Sequence, residues 1–352
     1  MATEPVYLAE AEPFFGWETR VIIDGVEFVH NSLVSHKRGG EPGPGKRPIE
    51  VPIHFFLPFN LLSEAKIGLI RLHNLRNTSA RLFEKGKILQ LRAGWLPWNR
   101  FQILEMDLVI ETVNFSERTP TRWTVDVRVG DASERLLTQM VSRTWPRCVR
   151  KSRVFRDLID MLGLPVAIFR IARDGIYRRG KVFYHPLYHA IEELARDTGS
   201  LFWIYNREVH VIPPEVALLP SVLLAPGTGL IRVQRALQEE ADGLPKIWPQ
   251  PPDPAIYHVR SFLNPLLRPA RHVQVRGKFL RGDFRVVRGA HYYMGERYST
   301  VVWLAQAHEL PATETPIRRF PPPRGSGERV RLGGREREWE REEMEASLGH
   351  IR

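Results

Sequence analysis

The sequence has little cysteine and no long apolar run, and each shortage excludes a class of protein. Its single cysteine, Cys148, has no partner for an intramolecular disulfide, so the chain is not a disulfide-stapled scaffold. No apolar run approaches the length of a bilayer-spanning helix, so no membrane-spanning segment is predicted. The 352 residues are enough for two or three domains with buried cores.

Acidic residues are also scarce relative to basic ones. Lys and Arg number 51 against 40 Asp and Glu, which gives a formal net charge of +11 and a pI near 10.0. Such a charge is compatible with binding of nucleic acid or another anionic surface. However, the basic residues are spread from Arg20 to Arg352 and form no single block with interleaved aromatics. The charge is therefore interpreted as general surface composition.

Motifs that carry catalysis are missing as well. The chain has no Gly-x-Ser-x-Gly nucleophile elbow. Gly227-Thr228-Gly229 is not followed by the Lys-Ser/Thr of a phosphate-binding loop. Among the carboxylates, no pair is singled out for sugar hydrolysis. We therefore predict no catalytic, cofactor-binding or metal-binding residues, no cofactor, and no enzymatic activity.

A histidine pair invites a metal-site hypothesis. His185 and His189 lie four residues apart, and Glu192 and Glu193 follow. A helical metal site needs both histidines on one face of the helix. Pro186 instead places His185 at or before the start of the helix, where the backbone is not helical. The pair is therefore not predicted to bind a metal.

Two other short features have a structural interpretation. Arg147 and Arg150 flank Cys148 and would favour its thiolate form, but no histidine lies nearby, so the thiol is interpreted as non-catalytic. Arg281-Gly282-Asp283 spells an adhesion tripeptide. The same residues, with Leu280, are predicted to form the turn between strands at His272–Val275 and Phe284–Val287.

The first 132 residues predict a β-barrel with one helix. Asp24-Gly25 separates two apolar runs and predicts a hairpin. The leucine spacing at Leu61–Leu75 predicts an amphipathic helix. Alternating apolar and polar residues predict further strands at Val51–Leu57, Ile88–Trp95, Phe101–Phe115 and Thr121–Val129.

Residues 133–215 predict a connector and a small α+β domain. Ser133–Trp145 is predicted to begin as a helix. Helices are predicted at Arg153–Leu162, followed by the capping residue Gly163, and at Pro186–Thr198. A hairpin follows, with strands at Leu201–Tyr205 and Glu208–Ile212.

Residues 216–311 predict a second β-barrel, and residues 312–352 an extended, charged tail. Val222–Arg235 and Ile256–Ala305 contain the strand patterns of this barrel, including one at Tyr298–Leu304. The tail is rich in Pro, Gly and alternating charge, a composition that cannot bury a core by itself.

The order of short elements resembles a known family. The sequence has an Asn-Pro-Leu segment, a Gly-Asp-Phe-Arg-Val strand, a histidine, a Gly-Glu loop and a Thr- and Val-rich strand. A Thr-Gly helix end, an aromatic strand, a two-residue turn and an Ile-Pro strand end precede them. This order resembles the hub proteins of phage tail baseplates, the late-control-D-like family. The residues concerned are Asn264–Leu266, Gly282–Val286, His291, Gly295-Glu296, Tyr298–Leu304, Thr198-Gly199, Phe202-Trp203, Asn206-Arg207 and Ile212-Pro213.

The resemblance implies a structural virion protein, the central hub of a phage tail tip or baseplate, or of a related injection system. Such a hub has two tail-tube-like β-barrels, joins the tail tube to the spike or tip proteins, and leaves a channel for DNA. The implied partners are the tail tube protein, a distal tail or baseplate ring protein, the spike and a tape measure protein. The implied location is the virion tail, assembled in the host cytoplasm. A homotrimer is also implied, because three copies supply six barrels to a sixfold tube.

Two other functions stay open at this stage. A basic β-barrel module that binds nucleic acid or cell-wall polymer would explain the charge, and a salt-sensitive shift of DNA would favour it. A cell-wall hydrolase is the enzymatic alternative, for which digestion of peptidoglycan would be the evidence.

Overall fold

Strands make up most of the structure, because short runs of alternating apolar and polar residues dominate the sequence. The computed structural model describes residues 16–31, 49–61, 66–75, 77–96, 103–119, 122–131, 138–235, 257–295 and 298–306. Strands account for 61% and helices for 14%, which confirms the predicted mainly-β class. No helix in these ranges is long and apolar enough to cross a membrane. The tail predicted at 312–352 lies outside the described residues.

The first strand set, in residues 16–131, follows the alternating pattern of its sequence. Asp24 and Gly25 have φ values of 48° and 74°, the left-handed conformation of the predicted hairpin turn. The inward side chains of alternating residues, such as Val125 and Val127, are fully buried in the main core. The elements are β1 (Gly16–Ile23), β2 (Val26–Asn31), β3 (Ile49–Glu50), β4 (Ile53–Asn60), β5 (Ile67–His73), α1 (Asn77–Ala80), β6 (Ile88–Leu96), β7 (Ile103–Thr119) and β8 (Arg122–Gly130).

The helix predicted at Leu61–Leu75 is wrong, because Ile67–His73 forms strand β5. Burial alternates along this strand with a period of two. Gly68 suits the strand because a Cβ there would lie 3.0 Å from the carbonyl oxygen of Phe56 on β4. Pairing with β4 and β8 thus overrides the helical spacing of the leucines.

The middle part, residues 138–212, has two longer helices and three small sheets. Its core is separate from the main one and includes Leu158 on one helix and Ile191 on the other. The elements are β9 (Met140–Trp145), β10 (Val149–Arg150), α2 (Lys151–Leu162), β11 (Val166–Phe169), β12 (Ile176–Tyr177), β13 (Lys181–Pro186), α3 (Leu187–Thr198), β14 (Leu201–Tyr205) and β15 (Glu208–Ile212).

Both helices of the middle part end at the predicted residues. Gly163 and Gly199 each have φ 64°, the left-handed cap that glycine adopts without a steric penalty. The helical start predicted at Ser133–Trp145 is wrong for Met140–Trp145, which forms strand β9. This segment pairs with β13, and Val141 and Trp145 are its buried residues.

The last strand set, in residues 216–306, contains the predicted strands but places one turn differently. The turn predicted at Leu280–Asp283 is wrong, because β20 already begins at Arg281. The chain reverses earlier, where the Gly277 N–H donates to the Leu280 carbonyl oxygen at 2.8 Å. The elements are β16 (Leu218–Leu224), a 3-10 turn (Pro226–Thr228), β17 (Leu230–Arg235), β18 (Tyr257–Phe262), β19 (Arg271–Arg276), β20 (Arg281–Tyr293) and β21 (Tyr298–Gln306).

One sheet of 14 described strands runs through both strand sets. Its main path is β17-β18-β21-β20-β4-β5-β8-β7-β6-β1-β2-β3, while β19 pairs with β20 and β16 with β19. The sets meet where β20 pairs with β4, from Arg288 opposite Asn60 to Tyr293 opposite Phe55. Among the described residues the path does not close on itself, so the two-barrel arrangement and its domain boundaries stay predictions.

The joint between the two strand sets is closely packed. A Cβ at Gly289 would lie 2.4 Å from the Val301 carbonyl oxygen and 2.6 Å from the Phe59 ring, so only glycine fits between the neighbouring strands. The buried hydroxyls of Thr19 and Tyr298 are hydrogen-bonded, which links β1 to β21. Strands from opposite ends of the chain therefore form a single packed structure.

The β14–β15 hairpin connects the middle part to the main sheet. Its side chains alternate between two cores: Trp203 and Tyr205 lie in the main core, while Phe202 lies in the core of the middle part. At its tip, the Asn206 N–H donates to Asp131 Oδ1 at 2.7 Å. Asn206 Oδ1 accepts from the backbone N–H of Asp107 at 2.9 Å.

Candidate functional surface

Four neighbouring strands, β17, β18, β21 and β20, place arginine and aromatic side chains on one face. Residues directly opposite each other on paired strands point to the same side of a sheet. Arg232 lies opposite Arg260, and Trp303 lies between Arg288 and His258. We call this surface the arginine–aromatic face; its residues are Arg232, Gln234, His258, Arg260, Arg288, Tyr292 and Trp303.

Aromatic rings fix two of the guanidinium groups. The guanidinium carbon of Arg288 lies 4.4 Å from the ring centroid of Trp303. Arg260 lies 5.7 Å from the ring centroid of Tyr292, and its Nε–H donates to Ser299 Oγ at 3.4 Å. Cation–π contacts of this kind hold a guanidinium flat over a ring while its charge is retained.

His258 contributes no positive charge to the face at neutral pH. Burial, together with the nearby cations Arg232, Arg288 and Arg260, lowers its pKa to about 4. The imidazole lies 4.7 Å from Trp303 between ring centroids, and its Nδ1 lies 3.3 Å from Gln234 Oε1. The neutral imidazole thus lies among the arginines without adding a charge.

Carboxylates are almost missing from the four strands. Their one acidic residue, Asp283, lies at the start of β20, where it accepts from Gln274 Nε2 at 3.4 Å. Arg232 and Arg260, two like charges, lie directly opposite each other, an arrangement that costs free energy in a sheet. Arginines therefore outnumber carboxylates on these strands. The arginines of these strands are Arg232, Arg235, Arg260, Arg281, Arg285 and Arg288.

The same face continues across the joint onto the first strand set. Ala290 lies opposite Pro58, and Leu69 on β5 lies opposite Arg128 on β8. The positive charge becomes weaker in this direction because Arg71 is paired with Asp126 through two hydrogen bonds of 2.7 and 2.9 Å. The charged region is thus concentrated on the last strand set.

Two other arginines are structural. Arg271 and Arg285 are buried, and burial lowers their pKa values to about 9 and about 10. Arg271 donates to the carbonyl oxygen of Pro220 at 3.3 Å, and Arg285 donates to that of Pro214. Both therefore hold the segment that leads from the middle part into the last strand set.

A buried polar group surrounds His291, the histidine of the family resemblance. Burial lowers the pKa of His291 to about 3, so the ring is neutral. Its Nδ1 lies 2.9 Å from Thr300 Oγ1 and its Nε2 lies 3.5 Å from the Tyr205 hydroxyl. The Asn264 N–H donates to the same Thr300 oxygen at 2.9 Å. These residues connect β20, β21 and the hairpin, which is a structural task.

The structure does not bring the histidine pair together as a ligand set. His185 Nε2 lies 3.4 Å from Glu193, whereas His189 Nδ1 lies 3.6 Å from Glu192. In the described ranges, no group of three or more His, Cys, Asp or Glu side chains has an arrangement that would hold a metal ion.

The remaining short motifs occupy turns and strand positions. Cys148 is exposed in a turn with φ 60°, and its N–H donates to the Tyr177 carbonyl oxygen at 2.9 Å. Thr228, between the two glycines of the Gly-Thr-Gly motif, donates to the Leu223 carbonyl oxygen at 2.8 Å. Arg281-Gly282-Asp283 begins strand β20.

The arginine–aromatic face was missed by the sequence reasoning, which treated the basic residues as evenly spread. One signal was available within β18, where His258, Arg260 and Phe262 alternate with buried residues. The rest of the face depends on strand register. Arg232 lies on β17, which pairs with β18, whereas Arg288 lies on β20, which pairs with β21.

Comparisons with known proteins identify solved structures that share this fold. No protein-family model and no curated protein sequence matches the chain. A tail protein from Neisseria meningitidis MC58 has a similar structure, with a TM-score of 0.54, 9% identity, and coverage of 83% of this chain and 97% of that one. The 43 kDa tail protein of prophage MuSo2 from Shewanella oneidensis has a TM-score of 0.55 at 8% identity, with 82% and 97% covered. The resemblance to tail hub proteins is therefore confirmed at the level of the fold.

Proposed function

We propose that the protein is a structural component of a phage tail or a related injection machine, and that it acts as the central hub. The observation that carries this proposal is similarity over almost whole chains. The two tail proteins are matched over 97% of their length, so the similarity includes the strand sets and the middle part together. A shared sub-motif would not give such coverage.

The proposed mechanism is geometric and requires no catalysis. The hub ends the tail tube, holds the spike or tip proteins, and leaves a channel through which DNA passes. The pairing of β4 with β20 supports this role, because it holds two strand-rich sets in a fixed relation within one chain. A subunit whose two strand sets are held together suits a joint between two symmetric assemblies.

The proposed assembly is a homotrimer. Three copies contribute six strand sets, which match a sixfold tube on one side and a threefold spike on the other. A closed ring also buries each heterologous contact and leaves no open end for polymerisation. The net charge of +11 opposes association of isolated subunits, so we expect salt to strengthen the trimer.

The proposed location is the virion tail tip, after assembly in the host cytoplasm. The proposed partners are the tail tube protein, a distal tail or baseplate ring protein, the spike or tip protein and the tape measure protein. Each of these contacts follows from the position of a hub between the tube and the spike.

Fractionation of tail particles tests the role. We expect the chain to co-sediment with complete tails, and its deletion to yield no functional tail tips until the gene is restored. The hub role would be contradicted by complete, infective tails that assemble without the chain while the wild-type protein stays in the unassembled fraction.

A further inference from the structure

We propose that strands β9 and β13 of the middle part form a docking surface for a segment of a partner protein that combines apolar side chains with carboxylates. The surface has two adjoining parts, an uncharged apolar face on the two strands and a group of exposed arginines at one end of them. The inference deepens the proposed function, on which it rests only for the expectation that the partner is another tail component.

One side of the β9–β13 pair is exposed and carries no charge. The strands are antiparallel, so residues directly opposite each other share a side. The inner side packs on the core of the middle part, where Trp145 and Phe183 are buried. On the outer side, Tyr184, Val182 and Met140 are 76, 63 and 58% exposed. We call this side the ribbon face; its residues are Met140, Ser142, Thr144, Val182, Tyr184 and Pro186.

The composition of the ribbon face is that of the centre of a protein–protein interface. Tyr and Met are enriched in such centres, and charged residues are depleted there. None of the six residues is charged, although charged residues make up 26% of the chain. Covering the three exposed apolar side chains would remove them from water, which favours binding of a partner with apolar groups of its own.

Two turns that carry arginines meet at one end of the ribbon face. The Cys148 N–H, in the turn after β9, donates to the Tyr177 carbonyl oxygen at 2.9 Å. A Cβ at Gly180, just before β13, would lie 2.6 Å from the Trp145 carbonyl oxygen, so glycine permits this close approach. We call the three exposed arginines of these turns the basic end; they are Arg147, Arg178 and Arg179.

The carboxylates of the neighbouring elements are paired with other cations. The pairs are Asp157 with Arg143, Asp174 with Arg150, Asp197 with Lys151 and Glu193 with Lys181. Among the described residues, the three arginines of the basic end take part in no ion pair. The basic end therefore complements carboxylates supplied by a partner, which guanidinium groups bind through charge-assisted hydrogen bonds.

A polypeptide fits this combination better than a nucleic acid does. A polyanion would be attracted to the basic end, but it would leave the apolar ribbon face uncovered. A polypeptide segment supplies apolar side chains and carboxylates together. Its charged part would set the direction in which it binds, since electrostatic complementarity fixes the register of an interface.

The test uses the full chain with a terminal affinity tag. A displayed library of random peptides of about 12 residues, longer than the 6 residues of β13, is sorted for binding to this chain. Enriched peptides are then synthesised, and their affinities are measured by fluorescence anisotropy. We expect the enriched peptides to contain both apolar residues and Asp or Glu.

The first variant removes the apolar part of the surface. It replaces the three exposed apolar side chains by threonine, which is polar and suits strands. The substitutions are Met140→Thr, Val182→Thr and Tyr184→Thr. Its control changes three exposed apolar residues of the main sheet and its loops: Ile88→Thr, Phe115→Thr and Phe279→Thr.

The second variant removes the charge of the basic end. The substitutions are Arg147→Gln, Arg178→Gln and Arg179→Gln. Its control changes three exposed arginines outside the middle part: Arg81→Gln, Arg128→Gln and Arg276→Gln. Both lower the net charge equally, so they separate the basic end from total charge. A further variant has lysine at the three positions of the basic end.

We expect each surface variant to lower the affinity of the enriched peptides at least about tenfold, and each control about twofold or less. The lysine variant should retain most of the affinity, which separates loss of charge from misfolding. Urea unfolding of the apolar variant at the wild-type midpoint would show that this variant is folded.

The proposal would be overturned if no peptide is enriched, if the enriched peptides have no excess of carboxylates, or if surface and control variants lose affinity equally. Self-association of the wild-type chain that both surface variants abolish would overturn it too, because the occupant would then be a second copy. The same holds if the basic end binds a DNA duplex and the ribbon face has no effect on any ligand.

The peptide result is independent of the hub role. If the surface variants bind peptides as the wild type does and all of them enter tails, the docking surface is wrong and the hub role is supported. If acidic, apolar peptides bind through the surface but the chain never enters tails, the hub role is wrong and the docking surface is supported.

Discussion

The main sheet and the middle part are held together in different ways. The main core combines residues from both ends of the chain, such as Val21 and Leu304, and its two strand sets are joined by backbone pairing of β4 with β20. The middle part has its own core around α2 and α3. Its connection to the sheet includes contacts of the β14–β15 hairpin, in particular the Tyr205 hydroxyl with His291 and the Asn206 N–H with Asp131.

The difference predicts that the main sheet and the middle part unfold with different cooperativity. Backbone pairing through a shared core makes the first and last strand sets interdependent, so neither is expected to unfold without the other. The middle part has independent packing and is attached through a hairpin that is buried on both sides. The proposed hub role requires a stiff frame, which we expect the main sheet to supply.

The largest effect is expected from substitution at the joint of the main sheet. Gly289→Ala places a Cβ 2.4 Å from the Val301 carbonyl oxygen, so β20 must move away from its neighbours. We expect the free energy of unfolding to fall by about 3 kcal/mol, with both strand sets affected, as measured by urea denaturation.

Gly175→Ala in the middle part is the matched control. A Cβ there would lie 3.5 Å from the Lys151 side chain, an ordinary contact, so the expected change is below about 0.5 kcal/mol. Equal stability of the two variants would show that the joint is not tightly packed.

A smaller, local effect is expected from a cavity in the middle part. Leu158 is fully buried between elements of that core, and Leu158→Ala should lower the protection of amides in α2 and α3 by about 2 kcal/mol. Amides of β4 and β20 should be unaffected in native-state hydrogen exchange. Equal loss of protection in both regions would mean that the whole molecule unfolds as one unit.

The last expected effect concerns the contact between the two regions and depends on pH. Burial raises the pKa of Asp131 from 3.8 to about 7, although the hydrogen bond from the Asn206 N–H opposes this shift. Between these two pH values the folded state binds a proton that the unfolded state has released. The stability that this group contributes is therefore present at low pH and is lost as the pH rises to about 7.

Asp131→Asn keeps an acceptor for the Asn206 N–H and removes the charge. We expect the variant to be more stable than wild type near pH 8, with the difference vanishing near pH 4, as measured by thermal unfolding. The exposed Asp160→Asn serves as the control and should show no such trend. A constant difference between Asp131→Asn and wild type at every pH would contradict the assignment.

Local chemistry explains which elements could be predicted from the sequence. The turns at Asp24-Gly25 and Asn206-Arg207 have left-handed backbone angles, which Asp24, Gly25 and Asn206 tolerate. Period-2 burial marks strands such as β4, β5 and β18. The helix predicted at Leu61–Leu75 is wrong because leucines at helical spacing also fit a strand whose pairing partners lie elsewhere in the chain. The pairing of β4 with β20 joins segments more than 200 residues apart, so no local pattern reveals it.

The candidate surface was less accessible to prediction than the fold. Arg232, Arg260 and Arg288 are separated in sequence and become neighbours only through strand register. Period-2 alternation assigns Arg260 to the outer side of β18, but it does not say which strands are adjacent. A surface formed by several strands therefore requires the structure.

Image reconstruction of the assembled tail tip tests the central claim, that this chain is the hub between tube and spike, most directly. We predict three copies in one ring, with the two strand sets of each copy alternating around it to meet the sixfold tube. A ring of six copies, a single copy, or the absence of the chain from the tail tip would contradict the account.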